Sequence, residues 1–161
     1  DSTRMPRKMH SFYLRNMYLN NKLKDAGGIT LLGQPIDLAK IKTPVFFLST
    51  KEDHIAPWTS TYKGTQLLGG PIKFVLGGSG HIAGVINPAT SKKYGYQTND
   101  KLPPNAGDWL AGAEQHDGSW WPHWKEWVTQ FTGDKVPARQ PGTGKLPAIE
   151  DAPGSFVKIR I

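Results

Sequence analysis

The 161-residue chain contains no cysteine. A disulfide framework, a thiolate metal site and a cysteine nucleophile supplied by this chain are therefore excluded. Its longest apolar run lies around residues 44–48, far short of the ~20 residues that a membrane-spanning helix requires. The first residues are polar and basic and include no apolar segment, so we expect no signal peptide.

Acidic residues are fewer than basic ones, 13 against 20, which leaves a net charge of +7. The excess is concentrated in residues 1–24, whose basic members are Arg4, Arg7, Lys8, Arg15, Lys22 and Lys24. Such a stretch is typical of a solvated basic helix face, or alternatively of a surface that attracts an anionic partner. Because no nucleic-acid-binding motif accompanies it, we expect no nucleic-acid partner.

The composition nevertheless predicts a folded domain. The hydrophobic fraction is 37%, with 18 glycines and six tryptophans, enough apolar surface to offset the entropy of ordering. Residues 44–50 form a nearly continuous apolar run typical of a buried parallel strand, and residues 72–76 form a second one. Residues 58–68 lie between them and predict a helix ended by a glycine pair. The order indicates one βαβ unit.

The flanking regions are less regular. Residues 9–23 show roughly helical spacing of apolar side chains, and the chain beyond Pro88 is loop-like. Trp120, Trp124 and Trp127 are spaced to share one helix face. This face either docks the last helix on the sheet or forms an exposed platform for a sugar or polymer.

Asp53 and His81 follow the two predicted strands directly. Functional residues of parallel sheets collect at the carboxyl ends of strands, and one βαβ step places two such ends side by side. An aspartate that binds one ring nitrogen of a histidine leaves the other nitrogen as a base. The order acid, then histidine, matches the second and third members of an α/β-hydrolase triad.

Three rival interpretations of the same segments are weaker. Residues 78–83 match a dinucleotide-binding glycine pattern, but no helix and third strand follow. Ser79 is not a nucleophile elbow, because His81 stands where that motif needs glycine. His54 competes with His81 as the base, although its position before a predicted helix favours an anchoring role. The remaining histidines, His10, His116 and His123, have no metal-ligand spacing, so we expect no metal site.

Four long strings resemble the polyhydroxyalkanoate synthases of class I type. Residues 46–58, FFLSTKEDHIAPW, resemble their acid-bearing segment, and residues 74–88, FVLGGSGHIAGVINP, their histidine-bearing segment. Residues 118–124, GSWWPHW, resemble their C-terminal tryptophan motif. Residues 13–19, YLRNMYL, resemble the helix at which the cap returns to the core.

The resemblance implies an enzyme that polymerises (R)-3-hydroxyacyl-CoA into an intracellular polyester and releases CoA. It implies a cytoplasmic location at the surface of polyester granules, a homodimer, and no cofactor beyond the CoA thioester substrate. It also implies a Cys–His–Asp triad, in which His81 deprotonates the cysteine thiol. Asp53 then orients His81 or activates the 3-hydroxyl of the substrate.

This chain departs from the family pattern because the cysteine elbow and the earlier strands are missing. We therefore expect the C-terminal part of an α/β-hydrolase fold, with parallel strands and flanking helices, lacking the nucleophile-bearing N-terminal half. The predicted segments are a helix and connection returning from the cap (residues 1–36), the catalytic core (37–133) and an irregular tail (134–161). Alone, the chain is expected to be inactive and to need the missing half as a partner. Alternatives are the C-terminal half of another α/β-hydrolase, a thioesterase or depolymerase, or a non-enzymatic tryptophan-rich polymer-binding module.

Overall fold

The computed structural model describes residues 3–159, which form two units that divide after Thr129. Residues 1–2 and 160–161, the outer ends of the first and third predicted segments, lie outside the described residues. The strands are β1 (Thr30–Leu31), β2 (Gln34–Pro35), β3 (Val45–Thr50), β4 (Ile72–Gly77), β5 (Tyr96–Thr98) and β6 (Glu114–His116). The α-helices are α1 (Arg7–Tyr13), α2 (Trp58–Lys63), α3 (Ala106–Ala111) and α4 (Trp121–Thr129).

The central sheet has the strand order β3-β4-β5-β6. β3 and β4 run parallel, in a register from Val45↔Ile72 to Thr50↔Gly77, and α2 lies between them in the chain. The predicted βαβ unit is therefore present. β5 and β6 pair in antiparallel fashion, so the sheet is mixed rather than wholly parallel. The prediction of a loop beyond Pro88 was wrong where β5 and β6 form, because these three-residue polar strands depend on cross-strand contacts that local sequence does not reveal.

The N-terminal segment is helical but not one continuous α-helix. α1 runs directly into a π-helical turn over Leu14–Leu19, and a short 3-10 turn follows at Lys22–Lys24. The helical spacing of residues 9–23 thus corresponds to helix in the structure, divided into α, π and 3-10 parts. The two strands β1 and β2 then form a small antiparallel hairpin before the central sheet begins.

One face of the sheet carries an aromatic core. Phe74 of β4 lies edge-on to Tyr62 of α2, with ring centroids 5.0 Å apart, and edge-on to Trp109 of α3 at 4.9 Å. All three side chains are 0% exposed. The Tyr62 hydroxyl donates to the Pro103 carbonyl at 2.6 Å, which satisfies the one polar group that this ring buries. α2 and α3 are thereby fixed on the same side of the sheet.

The opposite face receives α4. Phe46 and Phe47 are neighbours in β3, and their side chains point to opposite faces. Phe47 packs against the aromatic core. The ring of Phe46 instead packs near Trp127 and Trp120, with ring centroids 5.3 Å and 6.2 Å apart, respectively. The prediction that the tryptophan face docks the last helix on the sheet is confirmed. Trp120 is only 7% exposed, so it does not form the exposed platform of the alternative interpretation.

The second unit is described over residues 130–159. The regular secondary structure in this range is one 3-10 turn, Phe156–Lys158. Several of its apolar side chains are largely exposed, including Leu146 and Ile149. Across residues 3–159, no helix combines the length and the apolar character that crossing a membrane requires.

The aromatic core is expected to contribute strongly to the free energy of unfolding. Phe74→Ala removes two edge-to-face contacts and leaves a cavity between β4, α2 and α3. We expect it to lower the free energy of unfolding by about 3–5 kcal/mol, measured by urea denaturation with tryptophan fluorescence. Phe156→Ala truncates a ring that is 81% exposed and serves as the control. Equal effects of the two substitutions would contradict the assignment of the core.

Candidate active site

The hydrogen-bond ladder between β3 and β4 continues into the loops that follow them. The Lys51 amide donates to the Gly77 carbonyl at 2.9 Å, and the Glu52 amide donates to the Ser79 carbonyl at 3.0 Å. These bonds hold the two loops side by side beyond the carboxyl ends of the strands. Asp53 and His81 come next in their respective loops and are brought into contact there.

Asp53 is held by three hydrogen-bond donors. Its Oδ1 accepts from the amides of Ile55 and Ala56, both at 2.9 Å. Its Oδ2 lies 2.8 Å from Nδ1 of His81. The side chain is 9% exposed, so the carboxylate is well shielded and fixed from both of its oxygens.

These donors favour the ionised form of the carboxyl group. The hydrogen bond from the Ala56 amide, followed by that from the His81 ring, lowers the pKa of Asp53 from 3.8 to about 2. An ionised carboxylate only accepts hydrogen bonds. The Nδ1 atom of His81 must therefore carry the proton that lies between the two side chains, and in the neutral ring Nε2 holds the free lone pair.

His81 is oriented by this bond while remaining reachable. Its side chain is 48% exposed, in contrast to the shielded carboxylate behind it. The turn leading to it contains Ser79, whose φ of 66° lies in the left-handed region that non-glycine residues rarely adopt. Backbone strain of this kind clusters at functional sites, where surrounding contacts hold it in place. Ser79 therefore shapes the turn that leads to His81.

The other sequence candidates lie elsewhere. His54 is exposed at the start of the loop into α2. The Nε2 atom of His116 forms a 2.8 Å hydrogen bond with Oγ1 of Thr98. The His116 ring stacks on Tyr96, with ring centroids 4.8 Å apart. His123 lies near Phe46 and Tyr96, and burial lowers its pKa. Within residues 3–159, no group of three or more His, Cys, Asp or Glu side chains is arranged to hold a metal ion.

Sequence reasoning missed the amides of Ile55 and Ala56 as part of the site. A signal for them exists, because an aspartate shortly before a helix commonly accepts bonds from the amides two and three residues ahead. Asp53 lies in the loop before Pro57, which is the N-cap of α2 and has no side-chain cap. The Asp53 side chain and these two amides therefore form a turn within the loop that precedes the helix.

A shallow cavity of about 280 Å³ adjoins these loops. Its walls include Lys51, Glu52, Ser79 and Tyr94. Asp53 and His81 are not among the residues that line it. The half-exposed ring of His81 is thus presented outside this cavity.

The lowered pKa of Asp53 generates a prediction for the pH dependence of stability. The folded state holds fewer protons than the unfolded state between the two pKa values, so ionised Asp53 stabilises the fold above pH ~5. This contribution is lost as the pH falls through 3.8 to about 2. We therefore expect the difference in urea midpoint between the unsubstituted protein and Asp53→Asn to narrow over that range.

The matched control is Glu52→Gln, which removes one negative charge from the neighbouring position. It leaves the hydrogen bond between Asp53 and His81 in place. Its urea midpoint should therefore follow that of the unsubstituted protein from pH 5 to pH 2. A difference for Asp53→Asn that stays constant with pH would contradict the assigned pKa.

Comparison with known proteins places these residues in a family context. No protein-family model matches the chain. It is 51% identical over 162 residues to the poly(3-hydroxyalkanoate) polymerase of Methylorubrum extorquens, a match covering 99% of this chain and 26% of that protein. It is 49% identical to the poly(3-hydroxyalkanoate) polymerase subunit PhaC of Rhizobium meliloti and 48% identical to that of Cupriavidus necator. These matches cover 99% of this chain and 26% and 27% of the relatives, respectively.

The chain spans about a quarter of the length of the relatives it matches, and the match falls on their C-terminal quarter. The matched region covers 99% of this chain and so spans the loops that bring Asp53 and His81 together. By sequence, the chain is therefore a homologue of the C-terminal quarter of the poly(3-hydroxyalkanoate) polymerases.

Proposed function

We propose that this chain supplies the general base and its orienting carboxylate to a poly(3-hydroxyalkanoate) polymerase. The observation that carries the proposal is the 2.8 Å hydrogen bond between Asp53 and His81 at two adjacent strand ends. The chain has no cysteine, so the nucleophilic thiol comes from the part of the polymerase outside it. The substrate is an (R)-3-hydroxyacyl-CoA, and the acceptor is the growing polyester.

His81 moves the proton in each transfer. Its Nε2 takes the proton of the cysteine thiol, and the thiolate attacks the thioester carbonyl of the substrate. The bond between that carbonyl carbon and the CoA sulfur breaks, and the departing CoA thiolate receives the proton from His81. In chain extension, the terminal 3-hydroxyl of the growing polyester attacks the acyl group on the cysteine sulfur. The carbon–sulfur bond breaks, and the hydroxyl proton passes through His81 to the departing cysteine thiolate.

Asp53 orients His81 in this scheme. A carboxylate with a pKa of about 2 is a weak base, and its oxygens are already occupied by the two amides and the ring. Those properties favour fixing the imidazole tautomer and stabilising the imidazolium over removal of a proton from the substrate hydroxyl. Of the two roles that the family resemblance implies for Asp53, we therefore propose orientation of His81 rather than activation of the substrate hydroxyl.

The same proposal extends to the fold. Among the described residues, β3 lies at one end of the sheet and pairs with β4 alone. Its residues Val45 to Leu48 are half-buried. We place the remaining parallel strands of an α/β-hydrolase core along β3, with the cysteine elbow after one of them. The three-part division of the chain, a homodimer and a location at the granule surface belong to the same proposal.

The site assignment is tested in the complete polymerase that carries this segment. His81→Gln removes the base and should lower the rate of CoA release by about 10⁴-fold. Asp53→Asn removes the acceptor that fixes the tautomer and should lower it by about 10²- to 10⁴-fold. Release of free CoA is followed with a thiol reagent, using a 3-hydroxyacyl-CoA as substrate.

The matched control is His54→Gln, which changes the neighbouring exposed histidine and leaves the Asp53–His81 pair intact. It should retain a rate within about twofold of the unsubstituted enzyme, since it loses no proton-transfer group. Unchanged turnover in His81→Gln, or a loss in His54→Gln as large as that in His81→Gln, would exclude His81 as the base.

A further inference from the structure

The indole of Trp120 binds the turn that carries His81. Its Nε1–H is shared between the carbonyl oxygens of Gly84 and Val85, each 3.1 Å away. Trp121 donates its own Nε1–H to the Val85 carbonyl, also at 3.1 Å. Two adjacent side chains at the start of α4 thus direct their donors at the same short stretch of backbone.

The accepting carbonyls belong to a single helical turn. The Gly84 amide donates to Gly80 at 3.0 Å, and the Ile86 amide donates to Ile82 at 3.0 Å. His81 lies inside this turn. The carbonyls at the end of a helical turn lack partners within the turn, so an outside donor must satisfy them. Trp120 provides that donor to Gly84, which is buried.

The turn also packs closely against the end of β3. A Cβ atom on Gly84 would overlap the Cγ2 of Thr50, at 2.5 Å, as well as the Gly78 carbonyl. Only glycine permits this approach. The turn therefore contacts the last residue of β3 and is hydrogen-bonded to the Trp120 indole.

Trp120 is itself fixed relative to the strand that leads to Asp53. Its ring lies 6.2 Å from Phe46 of β3 and stacks on Trp121 at 4.5 Å. The hydroxyl of the preceding residue, Ser119, donates to the Asn87 carbonyl at 2.8 Å just beyond the turn. The backbone that carries the base is thus tied to the same framework as its carboxylate partner.

We propose that Trp120 is a positioning residue, which sets the place of the His81 imidazole through the backbone of the Gly80–Ile86 turn. This inference rests on the proposed function, in which His81 is the base. Asp53 fixes the ring at Nδ1, and Trp120 fixes the backbone from which the ring projects. Both restraints are needed, because a shift of the base by about 1 Å can lower the rate by about 10²-fold.

The test is Trp120→Phe in the complete polymerase, which keeps an aromatic ring and removes the N–H donor. Trp109→Phe is the matched control: its indole is also buried, yet its Nε1–H has no hydrogen-bond partner, and it lies on the other face of the sheet. Trp120→Phe should lower kcat about tenfold and leave KM within about twofold. Trp109→Phe should leave both constants within about twofold.

A second measurement is independent of activity. Amide hydrogen exchange across residues 82–87, read by mass spectrometry, should accelerate about tenfold in Trp120→Phe and remain unchanged in Trp109→Phe. Unaltered exchange in Trp120→Phe would overturn the anchoring of the turn. Faster exchange with an unaltered kcat would overturn the positioning role, as would an equal fall in kcat in the control.

The two proposals fail in distinguishable ways. Polymerase activity that is absent from the unsubstituted complete protein, or unaffected by His81→Gln, would overturn the proposed function. The exchange measurement would then still decide whether Trp120 anchors the turn. A normal response to His81→Gln together with wild-type kinetics in Trp120→Phe would overturn the positioning role alone.

Discussion

The parallel pairing of β3 with β4 determines where both titratable side chains of the site lie. The register ends at Thr50 opposite Gly77, and two further backbone bonds, from Lys51 and Glu52, carry the ladder into the loops. A shift of one residue in this register would move the Phe46 and Phe47 side chains to the wrong faces of the sheet. The packing of the two faces therefore protects the alignment of Asp53 with His81.

The electrostatics of the pair follow from local backbone geometry more than from burial. The first turn toward α2 directs the Ile55 and Ala56 amides at one carboxylate oxygen, and the other oxygen remains for the histidine. Because the carboxylate is ionised and only accepts, the histidine tautomer is decided without any other protein group. One short loop after β3 thus fixes the carboxylate and, through it, orients the histidine on the neighbouring loop.

The sequence was sufficient to predict the parts of this arrangement that depend on short, strongly patterned segments. The apolar runs of β3 and β4 and the polar residues that end them predicted the βαβ unit and the contact between Asp53 and His81. The sequence was not sufficient to predict β5 and β6. Their residues are mostly polar, and their pairing depends on contacts such as the stacking of Tyr96 on His116. The π-helical turn after α1 and the hydrogen bond donated by Trp120 likewise arise from geometry that composition does not encode.

The contrast in exposure between the two members of the pair bears on how the proposed polymerase divides its active site. Asp53 is 9% exposed and His81 is 48% exposed, so the carboxylate is enclosed within this segment while the ring faces outward. A base enclosed like its partner would be unable to receive a proton from a thiol on another part of the protein. A carboxylate exposed like the ring would exchange its amide donors for water and hold the imidazole less firmly. Under the proposed function, the segment therefore fixes the orienting carboxylate internally and leaves the His81 ring accessible to a nucleophile supplied from outside it.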